Sequence, residues 1–298
     1  MSARRGGSAE ARRRRAVIGL TAPAYLWLLL TIALPLAAML VFSVLTVAPL
    51  GEREASLTLK HYGAFLDKAF YRDLTWRSIR LGLDVTVWCV VVGYPAAFAL
   101  ARTVKGRWRE ALFLLVVLPF WSNALVRVFS WTIVLRQGGL IDRALHWVAP
   151  WAPPLDILFT YPAIVIGLVH SFVPYMILTC YLSLQAIDES LIEASRSLGA
   201  SAATTFRRVV LPLSLPGLLA GVVLIFVPVV GSFMEPRILG GTAGIMLGTV
   251  IEDQFTAVFN WPLGAALSFI LLAIVLAAML AALPFLRARL AALEGGTA

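Results

Sequence analysis

The chain has 298 residues, of which 60% are hydrophobic and 14% charged, and its mean hydropathy is +0.87. Soluble domains carry about a quarter charged residues, so the composition excludes an ordinary soluble enzyme or binding module and places the chain in the membrane class. The formal net charge is +9, and where the positive charges lie says more than their total.

The opening stretch MSARRGGSAEARRRRAVIGL starts like a signal peptide, basic residues ahead of an apolar run. That run continues to about Val47 with no small-residue cleavage site. Residues 1–16 are therefore expected to form a basic tail and 17–47 a retained, overlong first transmembrane helix, in which Pro23 and Pro35 predict either a kink or an interfacial start. Five further runs reach the roughly 20 apolar residues that a span needs. They cover about 78–101, 111–135, 161–185, 216–236 and 263–286. The loop at about 48–77 and the loop at about 136–160 are rich in Trp, Pro and mixed charge. The loop at about 237–262 begins RILGGTAGIMLGTV, whose glycines predict a bending or re-entrant stretch.

Lys and Arg in short loops set orientation. Fifteen lie in the N-tail, the 102–110 loop, the 188–212 segment and the C-tail, against eight in the opposite loops. Both termini and the 188–212 segment are therefore expected in the cytoplasm. The basic tail beside a bilayer fits anionic lipid, with no nucleic acid implied. Cys89 and Cys180 lie inside apolar runs without metal spacing and are expected as buried hydrophobes. No metal site is expected. The Gly217–Gly221 pair predicts a close helix contact.

Between the fourth and fifth spans stands EASRSLGASAATTFRRVVLP, residues 193–212. Asp188 or Ser190 can cap a short helix over 188–198. Leu191, Ala194 and Leu198 fall on one face of it, and Glu193, Arg196 and Ser197 on the other. Gly199 suits the left-handed residue that ends such a helix. A second short helix is expected over about 201–210, with Pro212 and Pro216 ending it and starting the next span. A DNA-binding helix-turn-helix uses a similar pair of helices, but tethering to spans on both sides argues against it.

The segment resembles the EAA motif of permease subunits of ABC importers, which reads E-A-A, three residues, G, nine residues, I-x-L-P. Glu193, Ala194, Gly199, Leu211 and Pro212 match. Ser195 replaces Ala and Val209 replaces Ile, each a substitution in kind. LPFWSNALVRVFSWTIVLRQGGLI, YPAIVIGLVHSFVPYMILTCYLSLQAID and NWPLGAALS are similar to the spermidine/putrescine importer permeases of first-subunit type, so that the likeness covers about 78–286.

The resemblance implies an all-α membrane protein of about six transmembrane helices with the type I ABC importer permease fold. The type-1 transmembrane domain would occupy 76–286, preceded by the first helix and outer loop at 17–75 and followed by a cytoplasmic tail at 287–298. The 188–212 insert would be a cytoplasmic coupling helix that meets a separate ATPase through Glu193, Ala194, Arg196, Gly199, Leu211 and Pro212. Implied partners are an ABC ATPase dimer, a second permease subunit, a periplasmic solute-binding protein and the bilayer of a bacterial inner membrane. The chain carries no G-x-x-x-x-G-K-[ST] loop. It is expected to hold no cofactor and to perform no catalysis itself, with ATP and Mg bound by the partner ATPase.

The cargo implied is a polyamine such as spermidine or putrescine. The neutral Ser232 and basic Arg237 stand where many such permeases carry acids, which leaves another amine, an opine, an amino-acid-like solute or an organophosphonate as the alternative. Charges inside a span usually face a cavity or a partner. Asn123, Arg127 and Trp131 recur every four residues and are expected on one face. With Tyr175, Phe233 and Glu235 they form the candidate substrate pathway. Arg127 could instead pair with Asp84, and Arg80 could pair with Asp84 four residues on. An intramembrane enzyme is disfavoured: His61, His146 and His170 lack an H-E-x-x-H context, Asp84 has no partner aspartate, and no G-x-S-x-G occurs. A self-sufficient secondary carrier would have no use for the insert.

Overall fold

The computed structural model describes residues 18–47 and 55–294, with side chains as far as Ala281. The expected basic tail at 1–16 lies outside the described residues, as do 48–54 and 295–298. Six helical stretches are long and apolar enough to cross a bilayer: Ile18–Ser43, Ala69–Thr103, Ala124–Val148, Tyr161–Gln185, Ala202–Val230 and Trp261–Ala281. Among the described residues, extended backbone pairs only at one bridge, Leu45 with Leu57.

Helix α1 (Ile18–Ser43) contains a π-helical turn at Leu29–Ala33 just before Pro35. Proline has no N–H and its ring crowds the carbonyl four residues back, and the wider turn absorbs that mismatch. The helix is almost wholly exposed. It leans on the last helix, with Phe42 against Trp261 at 6.1 Å between ring centroids.

The centre of the bundle is three helices in mutual contact: α3 (Ala69–Phe98, extended by a π turn to Thr103), α7 (Tyr161–Gln185) and α10 (Leu211–Val230). Leu81, Val85 and Cys89 of the first meet Leu168, Met176 and Cys180 of the second and Ile225 and Val229 of the third. Both cysteines are free and buried, as expected. At the Gly217–Gly221 pair α10 comes close to α7. A Cβ on Gly217 would stand 2.5 Å from the Thr179 carbonyl oxygen, and one on Gly221 would stand 2.7 Å from Met176 Sδ. Only glycine lets the backbones come so near.

A second layer forms from α2 (Lys60–Asp67), α12 (Leu247–Thr256) and α13 (Trp261–Glu294). Its core holds Phe65, Leu74, Val230, Leu247 and Leu267. Ser78 Oγ accepts from the Leu247 amide at 3.0 Å and ties this layer to the central trio.

Two expectations need correction. The third span, expected as one run over 111–135, is broken into α4 (Arg107–Val117), a 3-10 turn at Leu118–Trp121 and α5 (Ala124–Leu135). Pro119 starts the tight turn, Ser122 and Asn123 are extended, and Asn123 Oδ1 accepts from the Leu125 amide at 2.8 Å to begin a new helix. After a non-helical stretch at 136–139, α5 is followed by amphipathic α6 (Leu140–Val148), and the Asp142 carboxylate clips the flanking loops by accepting from the Gly138 and Leu155 amides, each at 2.8 Å. The fifth span does not begin at 216 after a proline stop. It is continuous from Ala202 to Val230, because a π turn at Phe206–Val210 precedes Pro212 and makes room for its ring. It also ends at Val230, so Glu235 lies beyond it, on α11 (Met234–Gly240). The glycine-rich loop bends as expected, through α11, a 3-10 turn and α12.

Candidate functional site

At one end of the bundle, α8 (Glu189–Ser197) follows α7 after a short turn. Asp188 rather than Ser190 is its cap, accepting from the Ser190 amide at 2.9 Å, and that bond holds the Asp188 carboxyl below its ordinary range. The helix ends at Leu198, and Gly199 adopts φ +81°. The Gly199 amide donates to Arg196 and the Ala200 amide to Ser195, so the orphan carbonyls of the last turn are met. Ser201 caps the returning helix, α9 (Ala202–Thr205), which runs on into α10. Ser195 Oγ and Thr205 Oγ1, at 3.0 Å, hold the two arms together.

The insert presents two faces. Ile192 packs inward with Phe206 against the bundle core. Leu191, Ala194 and Leu198 turn outward, and Leu198 is 89% exposed. They line a groove of about 750 Å³ between the arms, together with Gly199, Thr204 and Arg208. Glu193 and Arg196 are exposed and border a smaller recess with Arg102 and Glu189. Glu193 makes no ion pair or hydrogen bond through its carboxylate among the described residues. Leu211 and Pro212 are half-buried at the root of α10, with Leu211 against the core, so they hold the insert in place and are not part of its outer face.

Arg102 is a residue that sequence reasoning counted only as a topological charge. Its Nη2 donates to the carbonyls of Leu184 at 2.7 Å and Ile187 at 2.9 Å, so the end of α3 caps the end of α7 where the insert begins. A cation one turn past an apolar run was the available signal.

The transmembrane candidates fall into two groups. Along α7, Trp131 meets His170 at 5.3 Å between rings, Arg127 Nε donates to Ser171 Oγ at 3.3 Å, and Tyr175 stacks edge-on with Phe120 at 4.7 Å. Arg127 also donates to the Pro119 carbonyl at 2.9 Å and to Ser122, binding the broken turn to α5. Asn123 does not share a helical face with Arg127 and Trp131, because it is the cap at the break. Arg127 does not pair with Asp84. That carboxylate accepts from Tyr161 Oη at 2.7 Å and lies 3.7 Å from Arg80.

Glu235 is buried on α11, which packs against α5. Burial pushes its carboxyl up, opposed by its own backbone amide and by the Arg127 charge. Phe233 is apart from this group, in a pocket with Glu252 and Phe255 between α10, α12 and α13. Arg237 reaches Asp253 at 2.5 Å and Glu252 at 2.6 Å, and the Asp253 bond raises its pKa. The acids of this loop are thus already matched by an internal cation. The Asp84–Tyr161 and Arg127–Ser171 contacts join residues far apart in sequence, so nothing local announced them.

Six apolar helices and an exposed, capped two-arm insert at one end define a multi-pass membrane protein. The chain belongs to the family of binding-protein-dependent transport system inner membrane components, whose family model matches residues 91–292. It is 37% identical over 254 residues to the spermidine/putrescine transport system permease protein PotB of Escherichia coli (strain K12), covering 85% of this chain and 91% of that protein. It is 31% identical over 235 residues to the inner membrane ABC transporter permease protein YdcU of the same organism, covering 75% and 74%. The fold is shared with a chain of a bacterial ABC transporter involved in import of the acidic polysaccharide alginate, at a TM-score of 0.72 and 16% identity, covering 94% of this chain and 97% of that one. The fold is therefore that of the type I ABC importer permeases.

Proposed function

We propose that the chain is the membrane-spanning permease subunit of an ATP-driven importer for spermidine, putrescine or a close analogue delivered by a periplasmic binding protein. The observation that carries the cargo is the 37% identity to a spermidine/putrescine permease along 85% of the chain. A separate ATPase dimer would bind ATP and Mg, and a second permease would complete the pore. Both termini and the insert would lie in the cytoplasm, where Lys and Arg concentrate.

Coupling would act through the insert. The outward Leu191, Ala194 and Leu198 offer an apolar surface, Ala194 admits close approach, and the unpaired Glu193 and the exposed Arg196 supply charge for register. Gly199 sets the angle between the arms, while Leu211 and Pro212 hand the second arm over to α10. Arg127, Trp131, Tyr175 and Glu235 gather along α7 and α11, with Asn123 at the helix break beside them, and are proposed to line the cargo route. Phe233 would belong to a second surface, beside Glu252.

A second reading is favoured by the half-buried Arg127 guanidinium, which donates to neutral oxygens only. It suits a cargo with its own anionic group, such as an amino acid, an opine or an organophosphonate. Reconstitution with the ATPase, second permease and binding protein in proteoliposomes tests both. ATP-dependent uptake of labelled putrescine or spermidine, lost in Glu193→Ala while the chain remains in the membrane, is the expected result. Uptake that persists undiminished without ATP overturns the importer reading, and uptake of only the anionic solutes overturns the polyamine one.

A further inference from the structure

A cavity of about 630 Å³ opens between α3, α5 and α7, apart from the insert and bounded on one side by the Trp131–His170 contact. Its walls are the rings of Trp88, Trp131, Tyr161 and His170, and its one carboxylate is Asp84. The volume is that of a small-molecule site, and most of the lining is apolar with a few convergent polar groups.

The polar corner is arranged for a cation. Asp84 Oδ2 accepts from Tyr161 Oη at 2.7 Å, and Asp84 Oδ1 accepts no hydrogen bond among the described residues. Arg80 lies over the Tyr161 ring at 5.9 Å and 3.7 Å from the same carboxylate oxygen. That distance is long for a charge-assisted hydrogen bond, which usually spans about 2.7–2.9 Å. The Arg80 side chain is 67% exposed, so the guanidinium is a loosely held occupant that a better-fitting cation can displace. Aromatic faces beside a carboxylate attract alkylammonium groups through the ring quadrupole and bury the attached methylenes.

Depth supports the same chemistry. Asp84 lies 18 residues before Arg102 on α3, about 27 Å at 1.5 Å per residue. Arg102 marks one end of the bundle, so Asp84 falls near the opposite boundary of a hydrocarbon layer about 30 Å thick. A ligand there can keep its charged head at the interface while its apolar stem enters between the rings.

We infer that this cavity is a binding site for a primary alkylammonium group, held by Asp84 and caged by Trp88, Trp131 and Tyr161, with Arg80 as its internal competitor. Two sources carry that group: a free polyamine and the ethanolamine head of an aminophospholipid. The site shares Trp131 with the proposed cargo route and its polyamine arm rests on that reading, but the test reads binding to the chain and not transport, so the two can fail separately.

The test uses the full chain in phosphatidylcholine/phosphatidylglycerol nanodiscs. One arm measures equilibrium binding of radiolabelled putrescine. The other dopes the discs with phosphatidylethanolamine and counts retained lipid by native mass spectrometry. Asp84→Asn should weaken binding of at least one probe tenfold or more, and Arg80→Gln should tighten the same probe threefold or more. A purely structural Arg80–Asp84 pair would make both variants worse together. The inference is overturned if neither probe responds to Asp84→Asn, or if Arg80→Gln binds no tighter than wild type. The latter decides the matter alone should Asp84→Asn fail to fold. Asp84-dependent lipid binding without putrescine binding would uphold the site and assign it to lipid.

Discussion

Replacing Arg102 by Met removes two hydrogen bonds from a charged donor to the carbonyls of Leu184 and Ile187, at 2.7 and 2.9 Å. Such bonds contribute about 1.5–3 kcal/mol each when well shielded. Arg102 is half-buried at the end of the bundle, where water can replace part of the interaction. The expected net loss is therefore about 2 kcal/mol for the pair, concentrated where α7 passes into the insert. In local opening terms that is roughly a 30-fold acceleration of amide exchange. The amides to follow are Ile187, which donates to Leu184, and Leu191, which donates to Asp188. Arg102→Lys keeps the charge but offers one compact donor, so about half the loss and roughly fivefold faster exchange are expected. Hydrogen exchange by mass spectrometry in nanodiscs reads both, with α13 amides as the internal control. Exchange of 187–191 within twofold of wild type in Arg102→Met would refute the idea that Arg102 anchors the insert.

At Gly199, φ is +81° and a Cβ would meet nothing within 4 Å. Substitution there therefore costs backbone strain alone, about 1–2 kcal/mol for an ordinary residue and less for Asn. Gly199→Val should lower the thermal stability of the insert more than Gly199→Asn, and the reverse order would refute backbone strain as the cost at this position. Gly217→Ala should lower the melting temperature more than Gly221→Ala. The added methyl at 217 meets a backbone oxygen, whereas at 221 it meets Thr179 Oγ1 and the movable thioether of Met176. Equal shifts in a thermal-shift assay would contradict that distinction. The Asp188 carboxyl is held down by the Ser190 amide. Its contribution to stability is present above the ordinary Asp range and is lost as the pH falls through its depressed value. The protection factors of 189–192, corrected for the intrinsic slowing of exchange at low pH, should therefore fall on acidification in the wild type but not in Asp188→Asn, which keeps the cap without the titration.

Much of this architecture is legible in the chain because bilayer thickness converts run length directly into spans. The insert is equally plain: a polar interruption with a capping Asp188, an apolar face and Gly199 has few other solutions. The expectations that failed share a cause. Pro119 and Pro212 are both single prolines in apolar surroundings, yet one breaks a span and the other is carried inside a helix. The difference is made by Asn123, which can cap a new start after the first, and by the π turn that makes room for the second. A π turn has no composition that announces it. The pathway residues were harder still. Whether Arg127 meets Asp84 or Ser171 depends on how α5 lies along α7, and four-residue spacing on one helix carries no information about its neighbour.

The continuity of the helix from Ala202 to Val230, with glycines pressed on α7 part-way along, has a mechanical consequence. The midpoint of Gly217 and Gly221 lies about 25 Å from Ala202 and about 16 Å from Val230 at 1.5 Å per residue. Close glycine contacts allow tilting but resist sliding, so this midpoint serves as a fulcrum. A sideways step of about 3 Å at the insert arrives at Val230 reversed in direction and reduced to about 2 Å, with a tilt near 7°. Such a beam would open one end of the bundle as it closed the other, with the position of two glycines setting the gearing.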